Sequence, residues 1–380
     1  MRVKSAAGPN RPAGARYERR GAEGTPRPNA CPSSSHTSLS MPVSLKSVGQ
    51  QTLVITGASS GIGLATALEA ARRGANLVLV SRSPEGLDAA AERCRALGAE
   101  VEVVAADVAD RAVLDLVAER ATDRFGGFDT WVNNAGASVY GLLKDVPEED
   151  ARQVFSTNYW GTVHGSLVAA EHFRQRMVAS GPGGALINVG SVLSDRAIPL
   201  QGHYCASKHA IKGFTDALRM ELEKEGVPVS VTLVKPSAIN TPYPEHAANY
   251  MDVEPKLPTP AYAPEVVARA ILAAAERPLR DVTVGAKDGA MAVLGGLAPR
   301  LTDKIMEAAF FDQQKGDAPA GEDRQGALQE PKPGGGRVHG TADGHVFQSS
   351  VWTQLQTRPL AAAGAALATG LAVAWGLRRN

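Results

Sequence analysis

The stretch TLVITGASSGIG, residues 52–63, joins a run of apolar and β-branched residues directly to a glycine-rich turn. A run such as TLVIT, residues 52–56, is typical of a strand that is buried on both faces. Glycine lets the backbone come close to a phosphate, and a helix that starts there turns its free N–H groups and positive dipole end toward that charge. Turns also use glycine for conformational reasons alone, so a purely structural role stays open. The position between a strand and an amphipathic helix favours dinucleotide binding, with predicted contacts from Gly57, Ser59, Ser60, Gly61, Ile62 and Gly63.

Six further apolar runs follow this strand, and segments with helical spacing of apolar residues separate them. The runs are NLVLVS (76–81), VEVVAA (101–106), TWVNN (130–134), ALINVG (185–190), VSVTLV (229–234) and DVTVGA (281–286). Strand and helix in regular alternation predict one parallel sheet with helices on both faces. The predicted fold class is therefore α/β, a Rossmann-type doubly wound parallel seven-stranded sheet in a single catalytic domain.

The second predicted strand ends in VSRS, residues 80–83. A site that prefers NAD usually has an acidic residue at this point, where it accepts hydrogen bonds from the ribose hydroxyls. Here Ser81 and Arg82 occupy the position, and a guanidinium pairs with a 2′-phosphate that an aspartate would repel. We therefore expect NADP(H) rather than NAD(H), with a solvated surface arginine as the alternative.

The stretch GHYCASKHAI, residues 202–211, places Tyr204 four positions before Lys208, on one face of a helix. Such pairs also occur by chance on helix surfaces. A free tyrosine has a pKa of about 10, and lowering it by two or three units requires about 3 to 4 kcal/mol of preference for the phenolate. An ammonium about 4 Å away at an effective dielectric constant near 20 supplies roughly 4 kcal/mol. The pair is thus sufficient in magnitude for proton chemistry.

Taken together, TGASSGIG (56–63), NNAG (133–136), Asn158, Ser191 and YCASK (204–208) resemble the short-chain dehydrogenase/reductase superfamily. The order of these elements and the 13 positions from Ser191 to Tyr204 also agree with that pattern. The resemblance covers about residues 50–290. It implies an oxidoreductase that transfers a hydride between a nicotinamide cofactor and a carbonyl or secondary alcohol.

The resemblance also implies a role for each matching residue. Tyr204 is the expected general acid or base, Ser191 stabilises the substrate oxygen, and Lys208 binds the nicotinamide ribose and tunes the phenol. Asn158 is expected to hold a water that links Lys208 to solvent. Further cofactor contacts are implied for Asp107 and Val108 at the adenine, for Asn134, Ala135 and Gly136 along the cofactor, and for Pro236, Ile239 and Thr241 near the nicotinamide. One departure is Ser237, since the family often has glycine after that proline.

Composition narrows the class of partner. Lys and Arg total 40 against 39 acidic residues, for a net charge of +1, which gives no electrostatic basis for a nucleic-acid partner. The three cysteines form no metal-ligand pattern and no disulfide framework, so no metal is predicted and a reducing compartment is expected. The expected partner is a small carbonyl or alcohol, and the resemblance suggests a homodimer or homotetramer.

The two ends of the chain differ from the middle. Residues 1–48 are rich in Pro, Gly, Ser and Arg and are predicted to be a disordered extension, with Met41 as an alternative start. Residues 49–311 form the predicted catalytic domain, and the polar, Gly-rich residues 312–359 a mostly flexible linker. Residues 360–377 carry no charge and are expected to form a membrane-anchoring helix, although an Ala-rich helix on a protein surface is the alternative.

These ends bear on localisation and on the competing functions. We expect membrane association with the catalytic domain in the cytoplasm, or a cytoplasmic protein if the anchor is absent. An anchored enzyme would favour lipophilic carbonyl substrates. A non-catalytic NADP(H)-binding scaffold or sensor attached to a membrane is the alternative function, and a membrane-assembly protein is a third interpretation.

Overall fold

A computed structural model describes residues 43–178, 182–285, 294–332 and 336–358, and all structural statements below concern these ranges. Seven strands form one parallel sheet in the order β3-β2-β1-β4-β6-β7-β11. They are β1 (Thr52–Thr56), β2 (Asn76–Ser81), β3 (Val101–Ala105), β4 (Thr130–Asn133), β6 (Gly184–Val189), β7 (Val229–Pro236) and β11 (Asp281–Val284). The predicted fold class and all seven predicted strands are confirmed.

The strand order reverses direction between β1 and β4, because β2 and β3 extend the sheet to one side and β4 starts the other side. Ligands of such sheets bind in the crevice at the carboxyl ends of the strands, where the order reverses. The glycine-rich turn follows β1 at this edge, so the topology itself places it beside the residues that follow β4 and β6.

Six long helices cover the two faces of the sheet. The face formed by α1 (Gly61–Arg72), α2 (Pro84–Arg95) and α8 (Pro264–Glu276) buries one apolar cluster, and that formed by α3 (Arg111–Phe125), α5 (Gly161–Val178) and α6 (Gly202–Glu225) buries another. Local signals fix their ends: Ser83 accepts a hydrogen bond from the Gly86 amide at the start of α2, and Gly226 ends α6 with a φ of 76°. Shorter elements are α4 (Glu148–Phe155), a π-helical turn (Ser156–Trp160), α7 (Tyr243–His246), α9 (Pro299–Phe310) and α10 (Val351–Thr357).

Short strands hold the surface segments on this core. β5 (Val139–Tyr140) pairs with β8 (Ala248–Asn249), β9 (Val253–Pro255) with β12 (Lys315–Pro319), and β10 (Ala261–Tyr262) with β13 (Val346–Phe347). Residues 241–260 form a long, proline-rich connection of the kind that often acts as a substrate lid, and they are partly built into these two-stranded sheets.

The prediction of a mostly flexible linker over residues 312–359 is wrong for the residues that the structure describes there, 312–332 and 336–358, called here the C-terminal segment. Two of its strands pair with the catalytic domain, and α10 lies against β11 and α8. Gln314 and Leu328 are fully buried. The physical reason is that single side chains spaced irregularly along a polar, extended chain each fill a place on the domain surface, which leaves no apolar period in the sequence.

The predicted boundary at residue 49 also needs correction. Val48 is fully buried, its amide donates to the Glu276 carboxylate at 3.0 Å, and Lys46 forms an ion pair of 2.7 Å with Asp129. Residues 43–48 thus belong to the folded domain, while residues 1–42 lie outside the described residues. The apolar stretch predicted to anchor in a membrane, 360–377, lies outside them as well. In the described ranges no helix has the length and apolar character needed to cross a bilayer.

Candidate active site

A cavity of about 820 Å³ opens at the carboxyl edge of the sheet, and most of the predicted site residues form its wall. The wall includes the predicted residues Gly57, Ser59, Ser60, Gly61, Ile62, Ser81, Arg82, Asp107, Val108, Asn134, Ala135, Gly136, Ser191, Tyr204, Lys208, Pro236, Ile239 and Thr241. Two predicted residues, Gly63 and Asn158, lie behind the wall rather than in it. The fold therefore brings residues from seven parts of the chain to one cavity.

The glycine-rich turn needs glycine at specific positions. Gly57 and Gly61 have φ values of 66° and 52°, in the left-handed region that side chains disfavour. A Cβ on Gly63 would lie 2.2 Å from the Gly57 carbonyl oxygen, so only glycine allows α1 to start this close to the turn. Asn134, the residue directly after β4, holds the turn in place, because its side chain donates to the Thr56 and Gly57 carbonyl oxygens at 2.9 and 3.3 Å. The result is a tight turn in which α1 starts directly against the Gly57 carbonyl.

Tyr204 and Ser191 lie together on the wall of the cavity. Ser191 is 7% exposed and is held at the start of a short 3₁₀ turn, where its oxygen accepts from the Leu193 amide at 3.1 Å. Burial raises the pKa of Tyr204 to about 12, and the neighbouring Ser191 hydroxyl opposes this rise. The phenol is consequently protonated at neutral pH.

Lys208 follows Tyr204 by one helical turn and is 5% exposed. Its ammonium donates to the Val189 carbonyl oxygen at 2.9 Å and lies 5.6 Å from the centre of the Tyr204 ring. Burial lowers the pKa of Lys208 to about 8. The expected lowering of the Tyr204 pKa by this ammonium is therefore not produced by the described residues alone, because burial of the phenol outweighs a charge that is directed at a carbonyl.

Asn158 is fully buried in the π-helical turn between α4 and α5. Its amide oxygen accepts from the Ala137 amide at 2.7 Å, and its amide nitrogen donates to the Ala137 carbonyl at 2.9 Å and to the Ser207 hydroxyl at 3.0 Å. Ser207 in turn donates to the Tyr204 carbonyl at 2.7 Å. The side chain of Asn158 thus braces the segment after β4 against α6, and the water relay expected of it stays a prediction.

A second phenol, Tyr243 of α7, lies beside Tyr204 and was not among the predicted site residues. The two rings meet edge to face with centres 5.6 Å apart. The Tyr243 oxygen lies 2.6 Å from the Ser138 hydroxyl and 2.9 Å from the Gln201 amide oxygen. In the sequence, only the place of Tyr243 between two prolines sets it apart, and Ser138 and Gln201 match no pattern.

The C-terminal segment covers the end of the cavity that is formed by Arg82 and the glycine-rich turn. The Arg82 guanidinium donates to the carbonyl oxygens of Ala327, Leu328 and Gln329 at 2.5, 3.0 and 2.9 Å. Lys332 lies in the same wall. A few residues on, the chain crosses the glycine-rich turn itself, where the Gly61 amide donates to the Arg337 carbonyl and the Gly336 amide to the Ser59 carbonyl, each at 2.9 Å. None of these contacts is visible in the sequence.

The sheet is doubly wound and parallel, and a glycine-rich turn follows its first strand. A serine, a tyrosine and a lysine share one cavity wall, and this combination is typical of a nucleotide-dependent oxidoreductase. Comparison with known proteins makes the assignment specific. The sequence model of the short chain dehydrogenase family matches residues 51–250, and the chain belongs to that family.

Three relatives illustrate the range of the likeness. The uncharacterized oxidoreductase YxnA of Bacillus subtilis is 44% identical over 334 residues, 87% of this chain and 91% of that protein. The 11-beta-hydroxysteroid dehydrogenase-like protein 4A of Arabidopsis thaliana is 38% identical over 194 residues, 50% of this chain and 62% of that protein. A crystal structure of a short-chain dehydrogenase/reductase from Burkholderia phymatum in complex with NAD has a TM-score of 0.59 and 27% identity, covering 66% of this chain and 94% of its own. The chain is therefore an oxidoreductase of the short-chain type, whose fold binds a nicotinamide cofactor.

Proposed function

We propose that this protein transfers a hydride between NADP(H) and a carbonyl or secondary alcohol, with Tyr204 as the general acid or base. The observation that carries the proposal is the placement of the Tyr204 hydroxyl beside Ser191 in the wall of the cavity, one helical turn before the buried Lys208. These groups need no metal to move a proton. In the described ranges, no three His, Cys, Asp or Glu side chains group as they would around a metal ion.

The protonation state of Tyr204 suits carbonyl reduction. With a pKa of about 12, the phenol keeps its proton at neutral pH and donates it as negative charge develops on the substrate oxygen. The Ser191 hydroxyl stabilises the same oxygen by a hydrogen bond that strengthens as the charge grows. Alcohol oxidation requires the phenolate instead, so it should accelerate as the pH rises.

The glycine-rich turn, Asp107, and the residues 134–136 that line the cavity are the groups that would hold the cofactor. The backbone conformation fits this role, because Gly57 and Gly61 adopt left-handed conformations and a Cβ on Gly63 would collide with the turn. The Gly61 amide donates to the Arg337 carbonyl, and it would have to exchange that bond for one to a phosphate. The bound nicotinamide supplies or accepts the hydride and, when oxidised, adds a positive charge beside the phenol. Lys208 would hold the ribose and contributes its own positive charge.

Arg82 supports NADP(H) over NAD(H). Its guanidinium is held at the end of β2 by three carbonyl oxygens, which orient the charge without neutralising it. Ser81 and Ser83 line the cavity beside it, and so does Lys332, whose ammonium pairs with Asp323 at 2.8 Å. A 2′-phosphate would meet the positive charge of Arg82 and the serine hydroxyl groups at this point.

The substrate end of the cavity favours an apolar compound. Ile198, Leu257, Ile305 and Phe310 line it together with Val192 and Leu193. The volume of the whole cavity is within the usual range for a small-molecule site. The name of the Arabidopsis relative refers to a steroid dehydrogenase, which agrees with an apolar substrate class. We propose a lipophilic ketone or secondary alcohol.

The test uses NADPH absorbance with a panel of lipophilic ketones and alcohols. Tyr204→Phe should lower turnover by at least about 100-fold, because general acid catalysis typically contributes that much or more. NADPH binding, measured by fluorescence, should stay within a few-fold of the wild type. Tyr159→Phe is the matched control, since Tyr159 lies outside the cavity wall and should keep full activity. Near-normal turnover in Tyr204→Phe would exclude this mechanism, and a wild-type protein that binds NADPH without turnover would support the scaffold alternative.

A further inference from the structure

Helix α10 turns polar side chains toward the domain. Thr353 and Thr357 are 4% and 7% exposed, and the Thr353 hydroxyl donates to the Thr283 carbonyl oxygen of β11 at 3.1 Å. Gln356 accepts from the Thr283 amide at 3.0 Å and donates to the Thr283 carbonyl oxygen at 2.9 Å. Because β11 is the last strand on its side of the sheet, these side chains satisfy backbone groups that face no neighbouring strand.

The opposite side of α10 is apolar and faces solvent. Val351, Trp352 and Leu355 are 72%, 48% and 44% exposed. Helix geometry places the three within a sector of about 100°, so they form one contiguous surface. A surface helix ordinarily buries its apolar side and exposes its polar side, and α10 does the reverse. Adjacent exposed apolar side chains of this kind mark a contact surface.

A second cavity, of about 430 Å³, lies between α8 and α10 and is basic. Its wall carries the exposed residues Arg73, Arg269, Arg277 and Arg358 together with Glu276. Arg73 and Glu276 are 3.8 Å apart and offset each other. Arg269 and Arg277 each donate to a carbonyl oxygen of the C-terminal segment, which orients the guanidinium groups and leaves their charge. The wall therefore has an excess of positive charge.

This basic cavity adjoins the apolar side of α10. Arg358 follows Leu355 by three positions, and residues three apart are neighbours on a helix surface. The sequence then continues into residues 360–377, which carry no charge, and into Arg378 and Arg379. Apolar side chains next to basic ones are typical of a segment at a membrane surface, where the apolar groups enter the acyl region and the basic groups meet lipid phosphates.

We propose that the apolar side of α10, formed by Val351, Trp352 and Leu355, docks on a lipid bilayer while the adjoining arginines bind the phosphate groups of anionic lipids. A second copy of the chain fits this surface less well, because an isologous contact would bring the two basic cavities together. Residues 360–377 folded back on α10 would cover its apolar side but bring no negative charge to the arginines. The proposal does not depend on the proton chemistry proposed above.

The first test measures co-sedimentation of the full chain with vesicles of phosphatidylcholine alone and of equal parts phosphatidylcholine and phosphatidylglycerol. Arg269→Gln and Arg358→Gln should each weaken binding to the anionic vesicles about fivefold, since a basic residue near an anionic membrane surface contributes about that much. Binding to the neutral vesicles should not change. Arg120→Gln is the matched control, because it removes the same charge from an exposed residue of α3, on the other face of the sheet.

The second test follows Trp352 itself, so that docking of α10 is separated from any attachment through residues 360–377. The fluorescence of Trp352 is taken as the difference between each protein and the same protein carrying Trp352→Phe. Anionic vesicles that contain brominated phosphatidylcholine should quench this difference signal, and at limiting lipid they should quench it less in Arg358→Gln than in Arg120→Gln.

Several outcomes would overturn the proposal. One is a Trp352 signal that stays unquenched while the protein sediments with vesicles, as attachment through residues 360–377 alone would give. Another is an equal loss of vesicle binding in Arg120→Gln and Arg358→Gln, which would reduce the effect to net charge. A dimer that Trp352→Ser dissociates with vesicle binding unchanged would assign the apolar side to a second copy. Inorganic phosphate that binds the arginines of a protein without affinity for vesicles would assign the cavity to a soluble anion.

Discussion

Arg82→Met offers the sharpest test of cofactor choice, because Arg82 has two separable roles. Its side chain lines the cavity, and its guanidinium donates to three carbonyl oxygens of the C-terminal segment. Methionine keeps much of the aliphatic stem and removes both interactions. An aspartate at this position is a poorer test, since its carboxylate would face three carbonyl oxygens and disturb the segment by repulsion.

The magnitude follows from the phosphate contact. A hydrogen bond to a charged group contributes about 1.5 to 3 kcal/mol, so loss of the Arg82 contact should lower kcat/KM for NADPH roughly 10- to 100-fold. NADH has no 2′-phosphate and loses nothing at this contact. Loosening of the C-terminal segment acts on both cofactors, so the ratio of the two kcat/KM values isolates the phosphate contribution.

The assay measures kcat/KM for NADPH and NADH with one carbonyl substrate at fixed ionic strength. Arg93→Met is the control: Arg93 also donates to the C-terminal segment, at the Gly336 carbonyl, but lies outside the cavity wall. We expect the NADPH to NADH ratio to fall in Arg82→Met and to stay unchanged in Arg93→Met. A ratio that does not move in Arg82→Met would refute the reasoning and leave Arg82 as a support of the segment alone.

Three further predictions concern stability. Burial lowers the pKa of Lys208 from 10.5 to about 8, so between these pH values the unfolded chain holds more protons than the folded one, and the wild type should gain about 3 kcal/mol of stability as the pH rises from 8 to 10.5. Urea unfolding at these two pH values should show this gain in the wild type and not in Lys208→Met, and an equal pH dependence of both proteins would contradict the prediction. Leu328→Ala should lower the free energy of unfolding by about 2 to 4 kcal/mol if the C-terminal segment is packed on the domain, whereas a flexible linker would show no change. Thr215→Val should lower the free energy of unfolding by about 1 to 3 kcal/mol, because the fully buried Asn188 amide donates to the Thr215 hydroxyl at 2.9 Å and would lose its acceptor. A free energy of unfolding within about 0.5 kcal/mol of the wild type would argue against this hydrogen bond.

The sheet and the proton-transfer groups could be predicted because their signals are local. Each buried strand is a continuous apolar run, and the glycines that the turn after β1 requires all lie within the eight residues 56–63. Tyr204 and Lys208 are one helical turn apart, so their common face follows from helix geometry. Parallel strands then bring their carboxyl ends to one edge whatever lies between them.

The rest of the site depends on contacts between distant residues that carry no periodicity. Arg82 meets carbonyl oxygens about 245 positions further along the chain. Gln201 is oriented by Gln314, and an isolated glutamine in either place looks like a surface residue. The direction of the Lys208 ammonium toward the Val189 carbonyl is likewise a tertiary property, which the spacing of Tyr204 and Lys208 does not contain.

Residues 51–250 and the C-terminal segment contribute different groups to the cavity, and this difference bears on which cofactor and substrate are bound. The groups assigned to the proton chemistry all lie in residues 51–250, the range that matches the family. The C-terminal segment instead touches the periphery of the cavity at three points: Gln314 near Tyr243, residues 327–329 at Arg82, and residues 336–337 at the glycine-rich turn. The likeness to the Bacillus subtilis relative spans more residues than 49–311 contains, so it cannot be confined to the predicted catalytic domain. Substitutions in the C-terminal segment should therefore change the affinity for the cofactor and the orientation of Tyr243, while Ser191, Tyr204 and Lys208 keep their positions.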